Sequence, residues 1–176
     1  VISNVTIDNC DIENSGGDGI DFKDEFEQNK NNILTNIRVK NPGTRINTQA
    51  AIDLRGEVHL SNIVVENLGS THRGIRFRHS NLGGKKSSIT NFRIKNQSTF
   101  ISAIGIEVAS QGQVNINNGV INNCFFGVSI GGSAEHPLHT VNISNVISSS
   151  CIVGFKIHQQ SKLVNLINCA AYNSTN

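Results

Sequence analysis

One short phrase recurs along this 176-residue chain and constrains its fold more than any other feature. It reads apolar, any residue, Asn, apolar, any residue, apolar, any residue, Asn. The copies are Ile2–Asn4–Val5–Ile7–Asn9, Leu34–Asn36–Ile37–Val39–Asn41, Leu60–Asn62–Ile63–Val65–Asn67, Ile89–Asn91–Phe92–Ile94–Asn96, Ile116–Asn118–Ile121–Asn123, Ile143–Asn145–Val146–Ser150 and Leu166–Asn168–Cys169–Ala171–Asn173. The interval is roughly 23 to 32 residues, which predicts a stacked-repeat architecture in which each coil buries its apolar side against its neighbours.

A second strand signal follows every phrase but the last: a small residue, then apolar, polar, apolar. It occurs as Gly19–Ile20–Asp21–Phe22, Ala51–Ile52–Asp53–Leu54, Gly74–Ile75–Arg76–Phe77, Gly105–Ile106–Glu107–Val108, Gly127–Val128–Ser129–Ile130 and Gly154–Phe155–Lys156–Ile157. Alternation at period two marks strands with one buried face, and Asn and Gly suit the bends between them. Two strands per coil let the chain turn back above itself, with parallel pairing between coils. A globular α/β fold would need helices between parallel strands. The nearest helical candidate, Lys23–Asn32, has no regular apolar stripe and reads as a loop. Thr44–Ala50, Ser80–Ser88 and Gly131–His139 read as similar excursions.

These features resemble the right-handed parallel β-helix of the pectin-lyase-like superfamily. The resemblance rests on the Asn-bounded phrase, the paired Gly19–Ile20–Asp21–Phe22 strand and the closing Asn168–Cys169–Ala170–Ala171–Tyr172–Asn173. It implies an all-β, single-stranded solenoid of about 6–7 coils, a single domain over residues 1–176. It also implies stacked Asn side chains that bond their neighbours' backbone at the bends. Val1 begins inside a phrase and Asn176 follows closely on the last one. With no cap sequence in view, the expectation is a segment of a longer solenoid or one capped by partners.

Composition narrows the function classes. Met and Trp are absent and there is one Tyr, so stacking on nucleic-acid bases is not expected. No long charge-free apolar run suggests a membrane partner, and no signal peptide is visible. Beyond Asn96 the only acids and bases other than histidines are Glu107, Glu135, Lys156 and Lys162. A charged half beside a polar but uncharged half suggests that the two serve different purposes.

In the second strand the residue between the apolar pair points outward. The resulting row is Asp21, Asp53, Arg76, Glu107, Ser129, Lys156, and two positions on come Lys23, Arg55, Arg78, Ala109, Gly131, His158. His72, His79, Asp18 and Glu57 flank this face. Two carboxylates one rung apart suit acid–base work on a glycoside, and arginines suit sugar carboxylates. An Arg or Lys with a lowered pKa could serve as the base of a β-elimination, and carboxylates could hold calcium. Asp18, Asp21, Asp53 and Arg76 are the catalytic candidates; Arg55, His72, Arg78, His79 and Glu107 are the substrate-binding candidates. Calcium is the one candidate cofactor. The competing reading is a ladder of salt bridges, which alone would explain Asp53 beside Arg76 or Arg78.

Gly16–Gly17–Asp18–Gly19–Ile20–Asp21 resembles the Asn-Thr-Asp-Gly-Ile-Asp motif of polygalacturonase-type hydrolases, which implies a catalytic Asp18. Gly16 and Gly17 depart from it, and the paired Asp-Asp and Gly-His-Gly motifs are missing. Arg93–Ile94–Lys95 and Arg38–Val39–Lys40 match that family's Arg-Ile-Lys but read as outward residues of the repeat.

The superfamily resemblance thus implies a module that binds and cleaves a polysaccharide as a lyase or glycoside hydrolase, extracellular or virion-associated. A non-catalytic structural or adhesive module is the alternative. The outward row of the first strand reads Thr6, Arg38, Val64, Arg93, Val120, Ile147, Ala170. Its apolar upper part predicts a covering loop or an oligomer contact; the resemblance to trimeric phage tailspikes implies a homotrimer. Cys10, Cys124, Cys151 and Cys169 lie near phrase ends and read as small buried thiols. Cys124 and Cys151, in matching places on adjacent coils, are near enough for a disulfide.

Overall fold

A computed structural model describes residues 2–23, 30–43, 49–68, 72–78, 86–97, 102–109, 112–131, 139–158 and 161–173. In chain order the strands are β1 (Thr6–Glu13), β2 (Ile20–Phe22), β3 (Asn32–Lys40), β4 (Ala50–Arg55), β5 (Val58–Glu66), β6 (Arg73–Arg78) and β7 (Lys86–Lys95). They continue as β8 (Ile104–Val108), β9 (Gly112–Asn122), β10 (Phe126–Ile130), β11 (His139–Ser149), β12 (Val153–Ile157), β13 (Leu163–Ile167) and β14 (Ala170–Tyr172). The described residues contain no helix.

Long and short strands alternate, and each kind stacks on its own. The long strands run β1-β3-β5-β7-β9-β11-β13, with β14 also on β11; the short strands run β2-β4-β6-β8-β10-β12. All pairings are parallel. The result is a β-solenoid of about five turns. That is slightly fewer than the 6–7 coils expected, because a strand completes a turn only when the chain returns above it. Six stacked short strands therefore bound five turns.

Each long strand is bent in its middle by an Asn in the left-handed region. Asn36, Asn62, Asn91, Asn118 and Asn145 have φ between 53° and 56°. Asn tolerates this conformation better than other L-residues with a Cβ. A second bend follows at Asn14, Asn41, Asn67, Asn123 and Ser150. The bend amides are satisfied across the stack: Asn41 N–H donates to Glu66 O and Asn67 N–H to Lys95 O. The Asn side chains mostly bond one another rather than backbone, as in Asn62 to Asn36 (3.0 Å), Asn118 to Asn91 (2.6 Å) and Asn67 to Asn41 (3.0 Å). Asn123 to Asn96 O is the backbone form that was expected.

The first copy of the phrase sits in a different register from the one its sequence suggests. Ile7 pairs with Leu34 and Cys10 with Ile37, so Asn9 and Asn14 are the residues stacked on Asn36 and Asn41. Asn4 belongs to an earlier corner, beneath Asn31. The outward row therefore begins with Asp11, which pairs with Arg38, and not with Thr6.

The core lies between the two sheets. Leu34, Ile37, Val39, Ile52, Leu54, Ile63, Ile75, Phe77, Ile106 and Ile116 are each at most 1% exposed. Among the polar residues that enter this interior, Asn32 and Ser87 are satisfied by backbone. Asn32 accepts from Val5 N–H and donates to Ile2 O, while Ser87 accepts from Val58 N–H and donates to Gly56 O. The small residue opening each short strand is demanded by close stacking: a Cβ on Gly105 would lie 2.6 Å from Gly127 O. The described ends of the excursions belong to strands, since Ala50 opens β4 and Lys86–Ser88 open β7. Residues 24–29, 44–48, 79–85 and 132–138, which include His79 and Glu135, lie outside the described residues.

Candidate functional site

Parallel register places the expected row of outward residues in one line. Asp21 pairs with Asp53, Asp53 with Arg76, Arg76 with Glu107, Glu107 with Ser129 and Ser129 with Lys156. Arg55 pairs with Arg78, one step along the same face. Outward does not mean solvated here, because Asp53 is 1% exposed and Ser129 5%.

Asp53 is the centre of the site. Arg76 donates to it through Nε at 3.1 Å and Nη2 at 2.5 Å. Arg78 approaches on the diagonal, through Nε at 3.0 Å and through Nη2. Burial pushes the Asp53 carboxyl up, but the two guanidiniums outweigh it and hold the group below the usual carboxylate range. Burial likewise pushes Arg76 down, and its bonds to Asp53, with the nearby charges of Glu107 and Asp18, carry it above its ordinary value. Arg76 is thus a permanent cation, opposite to what a β-elimination base requires.

Asp18 stands in a different environment. Ala50 N–H donates to Oδ1 at 2.7 Å. The Gln49 amide, oriented with its nitrogen towards the carboxylate, donates to Oδ2 at 2.7 Å and Oδ1 at 2.8 Å. Burial raises the Asp18 carboxyl, Ala50 N–H opposes, and the charges of Asp53 and Asp21 push it further up. Asp21 carries one oxygen bonded to Lys23 at 3.0 Å and another, Oδ1, that is buried without a partner among the described residues. One oxygen from each of Asp18, Asp21 and Asp53 lies within 4.8 Å of the others. This spacing suits a cation, but the Asp53 carboxylate is already shared by two guanidiniums. A calcium ion bound through Asp53 would sit against both positive groups, so the three carboxylates do not fit calcium as a set.

The remaining candidates divide. Glu107, two turns up from Asp53, accepts from Arg73 Nε at 2.6 Å. His72 is 7% exposed and lies against Gly43, where a Cβ would come 2.6 Å from its ring. Burial keeps His72 below its ordinary pKa against the opposing bond to Gln49 backbone, so it is neutral at pH 7. It packs beside the site and is too covered to contact a polymer directly. Glu57 is drawn off to His59, 3.6 Å away. Arg73, Gln49 and the Ala50 amide are parts of the site that residue patterning missed. Arg73 could have been found as the charged residue preceding Gly74, whereas a backbone amide has no sequence signature.

On the long sheet, a groove of about 390 Å³ runs along the mid-strand bends. Val64, Phe92, Arg93, Gly119, Val120 and Ile147 are among the residues that line it. This is the apolar outward row anticipated from the phrase. No helix of the described residues is long and apolar enough to cross a membrane.

Comparison with protein-family models, with curated proteins and with solved structures finds no match for the chain.

Proposed function

We propose that this solenoid is a polysaccharide-engaging module of the pectin-lyase-like kind, and that it cleaves its ligand by glycoside hydrolysis. The observation that carries this reading is the contrast between Asp18 and its neighbours. Asp18 is raised by burial and by the adjacent carboxylates, while one of its oxygens lies within 4.8 Å of an Asp21 oxygen. A carboxyl pushed towards its protonated form close to a second carboxyl is the arrangement that acid and nucleophile roles in glycoside cleavage need, and a short separation fits the double-displacement geometry. Asp18 protonates the glycosidic oxygen and Asp21 attacks or stabilises the anomeric carbon. Arg76 and Arg78 fix Asp53 and present positive charge to an acidic sugar. Arg76, with its raised pKa, weighs against the lyase route.

Extracellular or virion-associated placement and homotrimer assembly through the apolar groove belong to the same proposal. The second reading, a non-catalytic adhesive or structural module, is favoured by one observation: Asp53, Glu107 and Asp21 all spend oxygens on internal ion pairs.

A panel of acidic and neutral glycans separates the readings. Hydrolysis yields new reducing ends without the ultraviolet absorbance of an unsaturated uronate, and Asp18→Asn abolishes them without lowering the melting temperature. Binding without any product supports the adhesive module, and absorbance of an unsaturated product would establish the lyase.

A further inference from the structure

We infer that Cys124 and Cys151 form an oxidisable pair, which a peroxide converts into a disulfide joining two adjacent turns. Beyond the last pairs of β9 and β11, Asn122 with Ser149, the ladder continues through both cysteines. Asn123 N–H donates to Ser149 O at 3.2 Å and Ile152 N–H to Cys124 O at 3.2 Å. Residues on adjacent parallel rungs stand about 4.8 Å apart, inside the roughly 4.4–6.8 Å range of Cα separations that a disulfide accepts. Both side chains point into the core, at 0% and 1% exposure. The two sulfurs take the same orientation one rung apart, Cys124 Sγ donating to Asn122 O at 3.7 Å and Cys151 Sγ to Ser149 O at 3.6 Å, and Cys151 Sγ also lies 4.0 Å from Ile121 O on the turn of Cys124.

The other two thiols have no such neighbour, since Cys10 pairs with Ile37 and Cys169 lies beside Val146, one residue before the Ala170 pairing. All four are free thiols in the structure. The pair is not a by-product of the repeat either, because Pro42 and Leu68 follow the same bend on lower turns.

The chemistry balances with hydrogen peroxide, an oxidant small enough to enter a packed core. The Cys151 sulfur attacks one peroxide oxygen, the O–O bond breaks, and the departing oxygen takes the thiol proton and leaves as water. The Cys124 sulfur then attacks the resulting sulfenic sulfur. The S–S bond forms, the S–O bond breaks, and hydroxide leaves with the Cys124 proton as a second water. Two thiols and one peroxide thus give one disulfide and two waters.

The test is to treat the intact reduced protein with hydrogen peroxide, remove the excess with catalase, unfold it and alkylate with iodoacetamide. The expected product carries two alkyl groups in place of four, with a peptide joining Cys124 to Cys151. It also shows a raised unfolding midpoint that dithiothreitol reverses. Cys124→Ser and Cys151→Ser should each lose the linked peptide. Four alkyl groups after treatment, a link through Cys10 or Cys169, or sulfinic acid without a link would each overturn the inference. The wild-type peptide map decides this even where a variant fails to fold.

Discussion

Asp53 and Arg78 lie on adjacent turns but not opposite one another, and Arg78 still reaches diagonally to share the carboxylate that Arg76 grips from directly above. One buried anion therefore holds two cations. Removing it leaves two guanidiniums facing each other in a partly desolvated place.

Asp53→Asn should therefore destabilise the fold by about 3–5 kcal/mol, the range for breaking a buried pair from one side. Arg78→Ala should cost clearly less, because Arg76 remains to neutralise Asp53. Urea midpoints at pH 7 measure both. A cost for Asp53→Asn below about 1 kcal/mol, the scale of exposed pairs, would show the clamp to be a surface decoration.

The two carboxyls of the site should respond oppositely to pH. Asp53 is held below its ordinary value of 3.8. Its contribution is complete above that value and is lost as pH falls through its folded pKa. Asp18 is held above 3.8. Its contribution is complete below that value and is lost as pH rises through its folded pKa. Asp18→Asn should thus gain stability relative to wild type between pH 4 and neutrality, and lose that advantage in acid. Thermal melts of both proteins across this range check the sign; a constant offset would mean that Asp18 titrates normally.

Gly119 is required by Phe92. A Cβ at Gly119 would lie 2.1 Å from Phe92 Cζ, and its φ is not in the left-handed region, so the obstacle is steric. Gly119→Ala should cost about 1–3 kcal/mol as an overpacked site. In Phe92→Leu the same change should cost much less, giving a positive coupling in a double-mutant cycle. Additive costs would contradict the packing account.

The mid-strand bend gives a cleaner backbone test. Asn118 has φ of 55° and donates to Asn91 at 2.6 Å. Asn118→Ala loses the bond and puts in the left-handed region a residue that tolerates it less well than Asn, at up to about 1–2 kcal/mol for the conformation. Asn118→Gly keeps the backbone free and should lose less. Equal losses in the two variants would assign the whole effect to the side-chain ladder.

Much of this architecture was legible from the residues. The Asn positions marked bends because few other residues accept φ near 55°, and the alternation in Ile52–Asp53–Leu54 or Ile75–Arg76–Phe77 named the outward row correctly. The first copy misled because Asn4, Asn9 and Asn14 recur every five residues and all adopt positive φ. Two registers fit the phrase, and only pairing with β3 chooses between them. Asn96 shows the limit of composition: it is buried, takes no positive φ, and turns its side chain to Gln97 N–H. The site was harder to read. Period two assigns a face but not a rotamer, so the diagonal reach of Arg78 was hidden. The environment of Asp18 depends on Gln49 and the Ala50 amide, about one turn away along the chain.

The ladders join each turn to its immediate neighbours. Arg76 reaches back 23 residues to Asp53, Asn36 28 to Asp8, and Arg73 forward 34 to Glu107. Such a molecule is nearly one-dimensional, and its folding should proceed as a zipper that can start at any well-formed step and spread in both directions. A severe lesion at one step should then divide the stack into two independently melting blocks instead of lowering one common transition.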